Sequence, residues 1–196
     1  MGSTAGGPLN PILDAIHSRR NTKKLRAEPP PTREQIETII EAATWAPNHH
    51  MTEPWRFVVV GGEERRRLGD ALTEALMSTF PETTKQMQDI ERVKPLDAPV
   101  IVTVIASPKM GPKIVAQEEM IAAGAALQNA LLAAESMGLG TMIRTGLHGF
   151  SERMREYFDM KQGESLVGMV YVGYTSEAPQ AKTRTDYREK TIWRGM

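Results

Sequence analysis

The 196-residue chain contains no cysteine, and that absence removes a disulfide framework, a thiolate zinc site, a cysteine-ligated iron-sulfur cluster and a cysteine nucleophile together. Any redox chemistry must then be carried by a bound cofactor. Net charge is also missing: 24 Lys and Arg stand against 24 Asp and Glu. The chain therefore lacks the broad cationic field of nucleic-acid and membrane-surface binders, and neither partner is expected. No apolar run approaches a membrane span. The opening residues 1–8 are small and polar, without the basic and apolar regions of a secretory signal, so they read as disordered and the protein as soluble and cytoplasmic. No internal repeat or linker divides the chain, which reads as a single domain over 1–196.

What is present alternates between helix and strand signals. Leu9, Ile12, Leu13 and Ile16 recur at helical spacing and lead into Arg19, Arg20, Asn21, Lys23 and Lys24. Thr32 and Gln35 match a capping box, and Ile36, Ile39, Ile40 and Ala43 continue one apolar face until Pro47. Trp55 to Val60 reads as a buried strand, followed by a Gly61-Gly62 turn and a helix with Leu68, Leu72 and Leu76 as its stripe. Residues 81–94 are polar and weakly periodic, which predicts a mobile helical cover outside the core. Val100 to Ala106 is a second strand. The alanine-rich stretch from Val115 to Met137 predicts a central helix that neighbours approach closely, and Thr141 to Arg144 and Leu166 to Val172 supply two more strands. Residues 175–196 form a polar tail carrying Tyr187, Ile192 and Trp193, expected to lie across a surface, such as that of a partner subunit.

Four segments could carry chemistry. Arg19-Arg20-Asn21 offers two guanidinium forks and an amide, suited to a phosphate and to the polar edge of a heterocycle, or simply to helix-dipole compensation. Ala46-Pro47-Asn48-His49 before Glu53-Pro54-Trp55 reads either as a planar-ligand loop or as a capped turn. His49 and His50, being adjacent, are expected to point in different directions. Gly138 to Gly146 joins a short strand, Arg144 and small residues, and Lys182 and Arg184 in the tail could clamp a phosphate or remain solvated. Arg65-Arg66-Arg67 reads as a solvated helix face. There is no Walker loop, no complete dinucleotide fingerprint and no zinc-binding histidine pair.

The order of these segments resembles the FMN-dependent nitroreductase family, in its compact YdjA-like subgroup, from about Pro11 to Tyr174. The anchors are Arg19-Arg20-Asn21, Ala46-Pro47-Asn48-His49 with Pro54-Trp55, Met137-Gly-Leu-Gly140, Ile143-Arg144-Thr145-Gly146 and Val170-Tyr-Val-Gly173. The resemblance implies an α+β fold with a mixed, mainly antiparallel sheet flanked by helices, and an intertwined homodimer whose flavin sites draw on both chains. It implies that Arg19, Arg20, Asn21, His49, Ile143, Arg144 and Thr145, with Lys182 and Arg184 from the arm, bind FMN. Ala133 to Gly138 matches a segment assigned to NAD(P) in the subgroup and is read here mainly as the helix end beside the flavin. Glu53 replaces a glutamine common in relatives. The implied activity is ping-pong reduction of nitroaromatic, quinone or other electron-poor small molecules by NADH or NADPH, with all chemistry on FMN and no catalytic side chain. The same motifs would also serve a flavin-sensing protein, or an offshoot acting on flavin or on halogenated aromatics.

Overall fold

The computed structural model describes residues 10–23, 25–175 and 183–196. The expectations for residues 1–8, Leu9, Lys24 and Lys182 lie outside these.

Four strands form one antiparallel sheet: β1 (Trp55–Gly61), β2 (Val100–Ala106), β3 (Gly140–Arg144) and β4 (Ser165–Gly173), in the order β1-β2-β4-β3. All four lie within a residue or two of their sequence-predicted positions. Because successive strand residues point to opposite faces, β2 divides cleanly. Val102 and Val104 enter a core shared with α2 (Arg33–Thr44) and α5 (Ala116–Ser136), while Ile101 and Ile105 enter a second core under α3 (Glu64–Thr79) and α6 (Glu152–Tyr157). The sheet is thus covered on both faces, an α+β arrangement. The mixed character expected of it is limited to one parallel bridge, between Asn21 and Thr141.

The local signals explain the helices. At the start of α2, Gln35 N–H donates to Thr32 Oγ1 (3.2 Å) and Thr32 N–H to Gln35 Oε1 (2.9 Å), the reciprocal capping box. Ala122, Ala126 and Ala130 on α5 are buried, their small side chains bringing α5 close to its neighbours. The arginine run is only partly solvated. Arg66 and Arg67 pair with Glu63 and Glu64, but Arg65 donates to the carbonyls of Gly62 (3.0 Å) and Ala98 (2.7 Å), closing the turn before α3.

Residues 81–94 form a helical cover outside the apolar core, as the sequence predicts. The helix α4 (Lys85–Val93) lies against α3, where Gly69 approaches so closely that a Cβ there would overlap the carbonyl oxygen of Arg92. Its buried residue is Glu91, while Met87, Ile90 and Val93 face outward. Helix α1 (Pro11–Ser18) buries none of its residues and exposes Ile12, Leu13 and Ile16. Residues 183–196 are exposed throughout, so this described part of the tail is not buried against its own chain.

Candidate flavin site

The chain leaving α1 runs beside β3. Thr22 N–H donates to the Thr141 carbonyl (2.7 Å), and Asn21 Oδ1 accepts weakly from Ile143 N–H at 3.5 Å. Arg19-Arg20-Asn21 and the 143–145 segment therefore meet, as the sequence led one to expect. Gly140 is required here, because a Cβ would come within 2.8 Å of the Leu25 side chain and close the channel in which residues 21–25 lie. Ser18 Oγ hydrogen-bonds Glu135 Oε1 (3.0 Å), fixing this corner at the C-terminal end of α5.

Two guanidinium atoms at this corner are buried without a partner: Arg19 Nη1 and Arg20 Nε. Arg20 Nη1 donates to the main-chain carbonyls of His17 and Arg19. Buried charged donors left unsatisfied are costly, and such atoms ask for an acceptor. An anion with several oxygens, such as a phosphate, meets that need with two cations at once.

Strand alternation separates the members of 143–145. Ile143 and Thr145 lie over Gly168 with Leu127 of α5, whereas Arg144 turns to the opposite face. There its guanidinium lies 4.9 Å from the centroid of the Tyr171 ring, and Nη2 pairs with Asp97 Oδ2 at 2.6 Å. The Arg144 side chain is thus engaged within the protein.

Around it is a small polar cavity of about 60 Å³, lined in part by Arg144, Tyr171, Glu91, Lys94 and His148. Glu91 binds Lys94 and stands 3.1 Å from His148 Nε2. Burial pushes the Glu91 carboxyl up, but the hydrogen bonds and charges of His148 and Lys94 outweigh this and leave it below the usual range. The Tyr171 hydroxyl, fully buried and without a partner, is held neutral well above its ordinary titration range by that burial. Glu91, Lys94, Asp97 and His148 did not stand out in the sequence, and Tyr171 did so only within the Val170-Tyr-Val-Gly173 anchor, because apart from Glu91 and Lys94, three residues apart, the partners are brought together only by tertiary packing.

His49 lies elsewhere. Its Nδ1 is 3.1 Å from Glu118 Oε2 in the first turn of α5. With a rise of 1.5 Å per residue, α5 spans about 25 Å from Glu118 to Glu135. Within one chain His49 and Arg19-Arg20-Asn21 are therefore at opposite ends of a helix and cannot grip the same ring system.

The loop holding His49 is bent sharply. His50 (φ 55°), Met51 (φ 50°) and Glu53 (φ 47°) all occupy the left-handed region, each at a cost on the order of 1 kcal/mol for a residue with a side chain. This bend overturns the expectation that the two histidines diverge: the reversed backbone at His50 stacks its ring on His49, with centroids 4.0 Å apart. Asn48 closes the loop by accepting from Glu53 N–H (3.0 Å). Arg184, in the exposed tail, makes no hydrogen bond or ion pair among the described residues.

The nitroreductase family model matches residues 16–174, which takes in both ends of α5 and the whole sheet. The chain belongs to the nitroreductase family. It is 33% identical over 173 residues to YdjA of Escherichia coli K12, covering 88% of this chain and 91% of YdjA, and 27% identical over 184 residues to YfhC of Bacillus subtilis, covering 91% and 92%. Both carry the name putative NAD(P)H nitroreductase. Among solved structures, a nitroreductase-like family protein from Bacillus cereus superposes with a TM-score of 0.82 at 25% identity, covering 98% of this chain and all of the other. A Desulfovibrio desulfuricans relative solved in complex with FMN shares the fold at a TM-score of 0.69 and 24% identity, covering 96% and 99%. Among the described residues no helix is long and apolar enough to cross a membrane.

Proposed function

We propose that this member of the family is a cytoplasmic FMN-dependent NAD(P)H oxidoreductase that reduces nitroaromatic, quinone or other electron-poor small molecules, and that each flavin site is built from two copies of the chain. The observation that carries this reading is the pair of buried, unpartnered guanidinium donors of Arg19 and Arg20 beside Asn21 and β3. Their chemistry fits the phosphate and polar edge of FMN. The names of YdjA and YfhC and the FMN complex of the Desulfovibrio relative support the same cofactor and electron donor.

Arg19 and Arg20 would hold the phosphate and ribityl end, with Asn21 at the pyrimidine edge and Ile143 and Thr145 bordering the ring. FMN bound there would supply two-electron hydride chemistry between NADH or NADPH and an electron-poor acceptor. The arginines would add positive charge beside the bound cofactor, and the protein would otherwise position the reactants and exclude water. No side chain acts as a nucleophile.

A second copy is needed to bring His49 to the flavin, since one chain holds His49 about 25 Å of helix away from Arg19. The apolar residues that α1 (Ile12, Leu13, Ile16) and α4 (Met87, Ile90, Val93) leave exposed suit a homodimer interface. The exposed arm with Ile192 and Trp193 is suited to reach across the partner, with Arg184 and Lys182 within the same arm. Anaerobic stopped-flow mixing of the flavin-loaded protein with NADH and with NADPH tests the activity. Bleaching of the flavin by one or both is expected, and a flavin that stays oxidised with both would sink the proposal.

A further inference from the structure

An open cavity of about 420 Å³ adjoins the His49 loop, lined by His50, Met51, Lys109, Pro112, Lys113 and Ile114 among others. One buried carboxylate holds its two walls together. Glu119 Oε1 accepts from Thr52 Oγ1 (2.7 Å), while Glu119 Oε2 accepts from Lys109 N–H (3.1 Å), so the 49–52 loop and the 107–115 loop are pinned to one another.

The charges in this cavity are uneven. Neither the Lys109 nor the Lys113 ammonium has an ion-pair partner among the described residues, although the chain pairs Arg33, Arg56, Arg66, Lys85, Arg92 and Arg153 with carboxylates. The nearby acids are already engaged, Glu118 with His49 and Glu119 with Thr52 and Lys109 N–H. What remains is a positive rim over walls supplied by Met51, Pro112 and Ile114, shaped for a ligand with a flat apolar body and an anionic end.

The position gives this a use. His50 lines the cavity and stacks on His49, so if His49 borders the flavin the cavity opens one ring away from it. We propose that Lys109 and Lys113 form a specificity site for the anionic group, carboxylate or phosphate, of a reactant turned over at the flavin. This rests on the flavin reading above for its purpose, but not for the binding itself.

The test uses FMN-loaded protein and the double variant Lys109→Gln/Lys113→Gln, with its melting temperature measured to show that the loops survive. Calorimetric titration with para-nitrobenzoate and with its neutral amide measures binding without turnover, and steady-state kinetics compare the same pair and NADPH with NADH. If the site reads an acceptor carboxylate, both the Kd and the KM ratio of acid to amide rise about tenfold in the variant, the scale of losing two exposed charge contacts, and the wild-type preference weakens with added salt. If it reads a donor phosphate, the KM ratio of NADPH to NADH rises by a similar factor and the acid-to-amide ratio does not. Ratios unchanged for both pairs overturn the proposal. Failure of the flavin to accept electrons would instead sink the activity, and the titrations would still decide the site.

Discussion

Replacing Arg144 by Met keeps a long apolar stem but removes the guanidinium, and the structure assigns a cost to each of its contacts. At an effective dielectric constant of 20, unit charges about 4 Å apart attract by about 4 kcal/mol, but desolvation and screening reduce most such pairs to about 1 kcal/mol. The Asp97 side chain is 44% exposed and that of Arg144 25%, so the lower figure applies. Stacking over Tyr171 adds about 1 kcal/mol. Against these, the buried Arg144 Nε has no partner, and its removal returns part of the loss. Arg144→Met should therefore destabilise the fold by about 1 to 2 kcal/mol. Asp97→Asn should cost about 1 kcal/mol, and the double variant should be no worse than Arg144→Met alone. Urea unfolding without FMN, at one fixed chain concentration because any self-association would shift apparent stability, measures all three. FMN titration should show Arg144→Met weakening affinity less than about threefold, since its side chain is engaged away from Ile143 and Thr145. Unchanged stability in both single variants, with a large loss of FMN, would refute this assignment and return Arg144 to the ligand.

Arg19→Ala or Arg20→Ala should weaken FMN binding by about 1 to 3 kcal/mol, the scale of a charge-assisted hydrogen bond, and identical titration curves would contradict the phosphate role. Gly69→Ala must push α3 from α4 and should cost about 1 to 3 kcal/mol in denaturant unfolding, whereas an unshifted midpoint would show that the two helices are not in close approach. The Glu164 carboxyl is pulled down to about 2, chiefly by hydrogen bonds from Arg56 at 3.1 and 2.8 Å, against an ordinary value of 4.5. With the folded value depressed, its stabilisation is complete above 4.5 and fades as pH falls toward 2. Glu164→Gln should therefore flatten the loss of stability across that window, and an unaltered acid profile would exclude the pair as its source.

The sheet was legible because each strand is a short β-branched run bounded by glycine or proline, and β2 even shows its two faces in the alternation of Ile101, Thr103 and Ile105 with Val102 and Val104. The alanines of α5 and the Thr32-Gln35 box were equally plain. Residues 81–94 were legible as a helical cover, but not that Glu91 is buried toward His148 and Lys94 while Met87, Ile90 and Val93 face outward, an arrangement that periodicity cannot reveal. The family resemblance placed Asn21 and Ile143 at one site, and the structure brings the two together. Spacing could not show that His49 sits at the far end of α5, because the distance along a helix appears only once its two ends have neighbours. Nor could it turn Arg144 away from Ile143, although period-two alternation in β3 contained that information.

The proposed flavin site is built from two chains. Sedimentation of the purified protein, followed both at the protein band and at the visible flavin band, tests this directly. All flavin absorbance should travel with a species of twice the 21.7 kDa chain mass, at one FMN per chain, and none with free monomer. Flavin bound stoichiometrically to a monomer, or a dimer that takes up no FMN, would contradict it.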